Sequence, residues 1–254
     1  MAQLTGSTAI ITGGGRGIGL AIAQALAEQG ASIGIVDVLE ESSAAAAHLA
    51  EDYSVTAAGV VADVRDAQAL DQAFSDLFDV LGTADILVTS AGITIWGDSI
   101  DVTPEDWQRV LDVNLNGTFY AAQSFARRLL AEQRTGSAIL VSSMSAQIVN
   151  VPQFQASYHA SKAAVSMLAK SLAVEWAKSG IRVNALEPGY TLSAMTREFM
   201  DANPDLAAQW TAMIPAGRMG EPEDLVGAVV YLASKNSSYM TGQSIVIDGG
   251  YTAI

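Results

Sequence analysis

Short apolar runs rich in β-branched residues recur along the whole chain, and each is followed by a stretch whose apolar residues repeat at helical spacing. We predict that these runs form strands at residues 8–12, 31–37, 55–63, 85–90, 137–143, 181–187 and 244–248. Their nearly continuous hydrophobicity is typical of strands buried on both faces, as in a parallel sheet. Strand–helix alternation over all 254 residues therefore predicts an α/β fold, in which a doubly wound parallel sheet has helices on both faces.

The composition excludes several classes of protein. Half of the residues are hydrophobic, which is enough for the core of one domain spanning residues 1–254. The apolar runs fall well short of the ~20 residues that a membrane-spanning helix requires, and the N-terminus lacks the pattern of a signal peptide. Because the chain has no cysteine, disulfides, thiolate metal sites and cysteine nucleophiles are excluded. We expect a cytoplasmic protein with no membrane partner.

The charge of the chain argues against nucleic acid as a partner. Thirteen basic and 27 acidic residues give a formal net charge of −14, and such a surface repels phosphate backbones. His48 and His159 are the only histidines and fall on two separate predicted helices, so we expect no metal site. A serine-hydrolase triad would lack a plausible base, and no G-x-S-x-G elbow occurs.

Two predicted helical stretches, 103–131 and 156–179, are longer than the others, whereas residues 188–220 break the alternation. The latter segment contains Pro204, Pro215 and interrupted helical signal. An insertion of this length in a compact domain is more often functional than accidental, so we predict a substrate lid there. Ligands of such sheets bind at the carboxyl ends of the strands, and we expect the chemistry at that edge.

A glycine-rich turn, TGGGRGIG at residues 12–19, joins the first predicted strand to the first helix. Glycines allow a tight turn and a close approach of the backbone to a pyrophosphate, whose charge is met by the helix N-terminus. The strand before the turn, the helix after it and an acidic residue ending the second strand together predict a dinucleotide site. The turn residues predicted to bind the dinucleotide are Gly13, Arg16, Gly17, Ile18 and Gly19.

Asp37, at the end of the second predicted strand, bears on the choice of cofactor. A carboxylate there accepts hydrogen bonds from the ribose hydroxyls of NAD and repels the 2′-phosphate of NADP. Arg16 favours NADP instead, because a guanidinium can bind that 2′-phosphate. Residues 38–40 supply no basic partner. We therefore predict NAD, with NADP the less favoured cofactor.

Five motifs follow one another along the chain: TGGGRGIG, the Asp63–Val64 pair, NLNG at 114–117, YHASK at 158–162 and PGY at 188–190. In this order they resemble the short-chain dehydrogenase/reductase family, and the resemblance covers essentially the whole chain. It implies a single-domain Rossmann-type fold that moves a hydride between a nicotinamide and an alcohol or carbonyl carbon. It also implies a homotetramer, for which the two long helices are the expected contact surfaces.

The resemblance carries four catalytic positions over to this chain. Tyr158 matches the family's acid/base, Lys162 its partner, and Asn114 the asparagine whose surroundings hold a water of the proton relay. Ser143 matches the second serine of the pair at the end of the fifth strand, and we choose it as the catalytic serine. Ser145 is the alternative, because it lies 13 residues before Tyr158, a spacing common in the family.

The resemblance also implies cofactor contacts beyond the glycine turn. These involve Asp63, Val64, Ser90, Ala91, Gly92, Tyr158, Lys162, Pro188, Gly189, Thr191 and Ser193. Thr89 and Ser90 stand where the family usually has two asparagines, and Ser193 keeps the hydroxyl that typically bonds the nicotinamide carboxamide. Glu187 precedes Pro188 where relatives commonly carry a small residue. We expect it either to face solvent or to lie near the reacting centre, where it would tune cofactor charge or contact substrate hydroxyls.

The spacing of Tyr158 and Lys162 places a phenol and an ammonium on one face of a helix. A phenol with a pKa of about 10 is a poor base at neutral pH, and nearby positive charge favours the phenolate. We therefore predict that Lys162 and the oxidised nicotinamide lower the pKa of Tyr158, which then takes the alcohol proton as hydride leaves the same carbon. Ser143 would hydrogen-bond the substrate oxygen and stabilise its developing charge.

Polar side chains in residues 146–154, beside the serine and the tyrosine, favour a substrate with several hydroxyl groups. The residues predicted to contact it are Ser143, Ser145, Asn150, Gln153 and Tyr158. Trp96, Trp210, Met195 and Met213 are further candidates to line the pocket. Residues 143–162 also resemble the polyol dehydrogenases of the family, such as those acting on galactitol, sorbitol or arabinitol, so we favour a polyol and its ketose. Small alcohols or ketones, diketones and 3-oxoacyl thioesters are alternatives, as is a non-catalytic NAD-binding regulator.

Overall fold

The computed structural model describes residues 3–254, apart from the side chains of residues 194, 195, 198 and 199. Within this part of the chain, one sheet contains β1 (Thr8–Thr12), β2 (Ser32–Asp37), β3 (Ala57–Val61), β4 (Ile86–Thr89), β5 (Gly136–Val141), β6 (Ile181–Pro188) and β7 (Ser244–Ile247). All neighbouring strands are parallel, in the order β3-β2-β1-β4-β5-β6-β7, which confirms the predicted sheet. The order reverses between β1 and β4, where sheets of this kind bind ligands in a crevice.

Helices connect the strands and cover the sheet. They are α1 (Gly17–Glu28), α2 (Ser42–Tyr53), α3 (Ala67–Leu81), α4 (Pro104–Leu111), α5 (Gly117–Ala131), α6 (Ala156–Trp176), α7 (Ala194–Ala202), α8 (Pro204–Ala212) and α9 (Glu223–Ala233). Side-chain caps fix the start of two of them. The Asp66 carboxylate accepts hydrogen bonds from the first N–H groups of α3, and the Thr103 hydroxyl accepts one from Asp106 in α4. No helix in the described part of the chain is long and apolar enough to cross a membrane.

The sheet is buried between two layers of helices. On one face, α3, α5 and α6 contribute Phe74, Phe125 and Leu172 to a continuous apolar cluster. On the other face, α1 and α9 contribute Leu26 and Val229 to a second cluster, which α2 extends. Since each fully buried side chain of this size contributes roughly 1.5–3 kcal/mol, both layers hold the strands firmly. The carboxyl ends of the strands therefore form a fixed edge on which a site can be built.

The first of the two long helical stretches contains an irregularity that the sequence does not predict. A π-helical turn, Asp112–Asn116, joins α4 to α5, whereas the second stretch is α6 followed by a 3₁₀ turn at Ala177–Ser179. A π turn locally widens a helix and is frequent at functional sites. This one carries Asn114, whose buried side chain contacts the residues that follow β4.

Residues 188–220 contain α7 and α8 and have a small apolar cluster of their own. Trp210, Ile214 and Met219 are buried in it, and Tyr190 and Tyr251 pack against them. Thr191 pairs with Gly220, so the segment starts and ends at one place. A separate core of this kind is suited to a lid, and that role remains a prediction.

Candidate active site

Tyr158 and Lys162 lie one turn apart in α6 and face the end of β5. The Lys162 Nζ atom is 5.6 Å from the centre of the Tyr158 ring. The same amine is buried and donates a hydrogen bond of 2.9 Å to the carbonyl oxygen of Val141, the last residue of β5. The predicted phenol–amine pair is therefore brought together, with the amine fixed by the sheet.

Ser143, in the turn after β5, is the serine that reaches the tyrosine. Its hydroxyl lies close enough to the Tyr158 phenol to counter part of the effect of burial on the pKa of that phenol. The Ser143 hydroxyl also donates to Ser145 Oγ at 3.1 Å, and the Ser145 hydroxyl in turn donates to Asn150 Oδ1. This geometry supports Ser143 over Ser145 as the residue beside the phenol.

The electrostatics of the pair differ from the prediction that Lys162 lowers the pKa of the phenol. Burial raises the pKa of Tyr158, and the nearby Ser143 hydroxyl offsets only part of that rise. Burial also lowers the pKa of Lys162 to about 8. Both shifts have one cause, because loss of hydration disfavours the phenolate and the ammonium alike. Positive charge from a bound nicotinamide would be needed to favour the phenolate.

Asn114 acts as a clamp between two segments. Its Oδ1 atom accepts a hydrogen bond from Ile93 N at 2.8 Å, while Nδ2 donates to Ile93 O at 2.9 Å and to Ser161 Oγ at 3.0 Å. These bonds tie the loop after β4 to α6, one residue away from Lys162. The water-holding role expected near Asn114 remains a prediction, since the amide itself is occupied.

The glycine turn forms a cradle in which Gly13 and Gly19 have no room for a Cβ atom. A Cβ atom on Gly13, whose φ is +68°, would lie 2.5 Å from Ala91 N in the loop after β4. A Cβ atom on Gly19 would lie 2.1 Å from the Gly13 carbonyl oxygen. Helix α1 begins after Arg16 without a side-chain cap, so its first N–H groups are available to an anion. These features fit the pyrophosphate of a dinucleotide.

Asp37 stands at the edge of this cradle. Its Oδ2 atom accepts a hydrogen bond from Gly15 N at 2.9 Å, and Oδ1 accepts one from Leu39 N at 3.2 Å. The carboxylate is therefore fixed and buried at the end of β2, where the resemblance expects a ribose contact. Arg16 is exposed, and the ion pairs found among the described side chains do not include it.

Other residues predicted to bind the cofactor already have partners within the chain. The Asp63 carboxylate is paired with Arg65, whose hydrogen bonds lower the pKa of Asp63. The Ser193 hydroxyl caps α7 by accepting a hydrogen bond from Thr196 N at 3.2 Å. Val64 packs against Gly117. Backbone carbonyls accept hydrogen bonds from Ser90 N, Gly189 N and Thr191 Oγ1. Their predicted cofactor contacts remain predictions.

Asn150 and Gln153, predicted to contact the substrate, are buried and hold a tyrosine instead. The Nδ2 atom of Asn150 and the Nε2 atom of Gln153 both donate to the Tyr190 hydroxyl, at 3.1 Å and 2.9 Å. The Oε1 atom of Gln153 accepts a hydrogen bond from the indole of Trp210 at 3.0 Å. Residues 146–155 are thus joined to the segment predicted to be a lid, and direct substrate contacts by these two amides remain predictions.

The sequence places Tyr190 in the PGY motif, but it does not predict that this residue belongs to an aromatic group. Its ring stacks on Trp210 with centres 4.7 Å apart, and the edge of Trp96 meets Trp210 at 6.0 Å. Met213 packs in the same cluster, whereas the side chain of Met195 lies outside the described residues. The sequence signal that could have revealed this group is an aromatic residue directly after the Pro-Gly pair.

Glu187 is only 1% exposed, so it does not face solvent, and a role near the reacting centre remains a prediction. Its two carboxyl oxygens accept hydrogen bonds from Ser166 Oγ at 2.6 Å and from Gln147 Nε2 at 2.5 Å. Ser166 belongs to α6 and Gln147 to the turn that carries Ser143. Glu187 therefore links α6 to the turn that carries Ser143.

Comparisons with known proteins agree with this arrangement. A family model described as enoyl-(acyl carrier protein) reductase, of the adh_short_C2 type, matches residues 13–252. Sorbose reductase SOU1 of Candida albicans is 42% identical over 98% of this chain and 88% of its own length. Galactitol 2-dehydrogenase (L-tagatose-forming) of Cereibacter sphaeroides is 42% identical over 98% of this chain and 96% of its own length.

Among solved structures, a gluconate 5-dehydrogenase from Burkholderia cenocepacia in complex with NADP and tartrate has a TM-score of 0.93. It is 36% identical, and the alignment covers 99% of this chain and 97% of that one. The match of the family model, the near full-length identity to these relatives and the shared fold point the same way. The chain belongs to the short-chain dehydrogenase/reductase family of oxidoreductases.

Proposed function

We propose that this protein is an NAD-dependent dehydrogenase that interconverts a polyol and the corresponding ketose. The observation that carries the proposal is the convergence of Ser143 and Tyr158 beside the buried amine of Lys162, which is fixed by the Val141 carbonyl. It directs two hydroxyl groups of the chain to one point, at the strand ends next to the glycine cradle. A substrate oxygen bound there would meet both a proton carrier and a hydrogen-bond donor.

Each of these side chains has a distinct role in the proposed reaction. Tyr158 takes the proton of the substrate hydroxyl during oxidation and returns a proton to the carbonyl oxygen during reduction. Ser143 donates a hydrogen bond to that oxygen and stabilises its developing charge. Lys162, held by the Val141 carbonyl, keeps its amine beside the phenol. When bound, the nicotinamide accepts or supplies the hydride.

The family implies a nicotinamide cofactor, and we propose NAD rather than NADP. The support is Asp37, whose carboxylate is held at the cradle by the N–H groups of Gly15 and Leu39. Negative charge at this place repels a 2′-phosphate. The exposed Arg16 is the residue that would favour NADP, and the similar gluconate 5-dehydrogenase was solved with NADP. A test must therefore compare both cofactors.

The relatives support the substrate class. The two curated proteins are named for sorbose and galactitol, a ketose and a polyol, and they match nearly the whole chain. Polar groups around Ser143 and Ser145 suit a hydroxyl-rich ligand better than the long acyl chain of a thioester. We also propose a cytoplasmic homotetramer that uses the two long helical stretches for contacts, with residues 188–220 as its substrate lid.

The proposal can be tested by a spectrophotometric screen. Purified protein is incubated with NAD or NADP and with galactitol, sorbitol, arabinitol and simple secondary alcohols, and reduced nicotinamide is recorded. We expect turnover of at least one polyol with NAD, and weaker turnover with NADP. If the cofactor binds but no alcohol or ketone is converted, the protein is a non-catalytic regulator and the proposal is wrong.

Replacement of Tyr158 by phenylalanine tests the mechanism. The substitution removes only the hydroxyl that carries the proton, so we expect Tyr158→Phe to lower kcat by at least about a hundredfold, the low end for general acid–base catalysis. The Kd of NAD, measured by tryptophan fluorescence, should stay within about twofold of the wild-type value, because the other residues that bind the cofactor are unchanged. Near wild-type kcat in this variant would contradict the mechanism.

A further inference from the structure

We propose that Ser145 determines substrate specificity by accepting a hydrogen bond from the hydroxyl on the carbon next to the reacting carbon. The substrates would then be vicinal diols and the α-hydroxy ketones formed from them. This inference rests on the proposed function, in which Ser143 binds the oxygen that reacts.

The number of protons available to Ser145 fixes what its hydroxyl can do. A hydroxyl has one proton to donate and two lone pairs that accept. The Ser145 proton is used in a short hydrogen bond to Asn150 Oδ1. Toward every other neighbour the Ser145 oxygen is therefore an acceptor, and it accepts from the Ser143 hydroxyl at 3.1 Å.

Asn150 is held so that its oxygen, and not its nitrogen, faces Ser145. Its Nδ2 atom donates to the Tyr190 hydroxyl at 3.1 Å, and its Oδ1 atom accepts a second hydrogen bond from Gln155 Nε2 at 3.2 Å. The His159 Nε2 atom lies 3.0 Å from Asn150 N and 3.1 Å from Asn150 Oδ1, and its protonation decides which of the two it serves. Turning the amide over would bring its nitrogen against the Gln155 donor, so the contact with Gln155 keeps the Asn150 oxygen facing Ser145.

Ser143 has one proton as well, and the proposed reaction requires it. In the structure this proton points to Ser145, yet during catalysis it must point to the reacting oxygen. Ser145 then loses its donor while it remains almost buried, 5% exposed beside a Ser143 that is 8% exposed. A buried hydrogen-bond acceptor that loses its donor in this way costs free energy. A substrate that brings a donor of its own removes this cost.

A hydroxyl on the adjacent carbon has the reach to do so. The two serine oxygens are 3.1 Å apart. The oxygens of a vicinal diol in the gauche arrangement are separated by about 2.8 Å, the usual distance of an O–H···O hydrogen bond. Two substrate oxygens can therefore face the serine pair side by side, one accepting from Ser143 and the other donating to Ser145. A lone secondary alcohol cannot make the second bond.

Acetoin and butanone test this inference, because they differ only in the hydroxyl next to the carbonyl. Reduction of each is measured with the cofactor that the wild-type enzyme prefers, and we expect the wild type to favour acetoin. Ser145→Ala should lower kcat/KM for acetoin by about tenfold, as expected for loss of one neutral hydrogen bond, and should not lower that for butanone, because the acceptor without a donor is removed together with the side chain. Cofactor affinity, measured in parallel, should be unchanged.

Ser137→Ala is the matched control, since Ser137 is a buried serine at the far end of β5 that bonds the Leu232 carbonyl. It should leave the acetoin-to-butanone ratio unchanged. Equal losses with both ketones in Ser145→Ala would place Ser145 at the reacting oxygen, and no loss with either would show that water serves as the donor. Either result overturns the inference while the proposed function stands. Wild-type protein that reduces no ketone overturns both.

Discussion

Lys162 is a charged residue in a place that disfavours charge, and its effect on stability has a definite sign. Burial lowers the pKa of Lys162 from 10.5 to about 8. Between those pH values the unfolded chain binds more protons than the folded one, so the free energy of unfolding rises with pH across that window. At 1.36 kcal/mol per pKa unit, charging the buried amine costs on the order of 3 kcal/mol below pH 8.

We therefore expect Lys162→Met to abolish turnover while stabilising the protein. At pH 7 the free energy of unfolding, measured by urea denaturation, should rise by up to about 3 kcal/mol, and this gain should shrink between pH 8 and pH 10.5. Lys170→Met, an exposed lysine on the same helix, is the control and should show no such pH dependence. A Lys162→Met protein less stable than the wild type at pH 7 would contradict the predicted sign of the change in the free energy of unfolding.

At the scale of elements, Glu187 joins β6 to α6 and to the turn that carries Ser143. Its carboxyl group accepts two hydrogen bonds, whereas the amide of glutamine has a single acceptor oxygen. We expect Glu187→Gln to cost about 1–3 kcal/mol of stability and to raise KM for the alcohol, because the turn loses an anchor. Denaturant titration and steady-state kinetics measure the two effects.

The exchanged pair Glu187→Gln with Gln147→Glu is the control for that prediction. In the double variant the new amide donates to the new carboxylate and still accepts from Ser166, so both hydrogen bonds are restored. Stability and KM should return most of the way to the wild-type values. A double variant no better than Glu187→Gln alone would show that the contact with Gln147 is unimportant.

The sequence predicts the strands well because each strand is a local signal. All seven apolar runs form strands of the sheet, and the Gly-rich turn lies where its φ angles require glycine. The π turn at residues 112–116 has no such signal, since it depends on Asn114 reaching Ile93 and Ser161. Likewise the partners of Asn150 and Gln153 come from Tyr190 and Trp210, far along the chain, which spacing alone does not reveal.

For the whole molecule, the exposed apolar side chains of α6 bear on assembly. Met167 and Val174 are 63% and 82% exposed and, seven residues apart, lie on one face of the helix. Burying such a face between subunits is favourable. We expect Val174→Glu to convert the proposed tetramer into smaller species in light scattering. Val80→Glu, which changes an exposed valine of α3, is the control and should leave the mass unchanged. A wild type that is itself monomeric would contradict this prediction.

The aromatic cluster within residues 188–220 has a foundation separate from that of the glycine cradle. Tyr190 and Trp210 belong to a core of their own and are bonded to residues 146–155, whereas the glycine cradle rests on the loops after β1, β2 and β4. We therefore expect a change of substrate preference to require matched changes in both segments, because each holds the other in place.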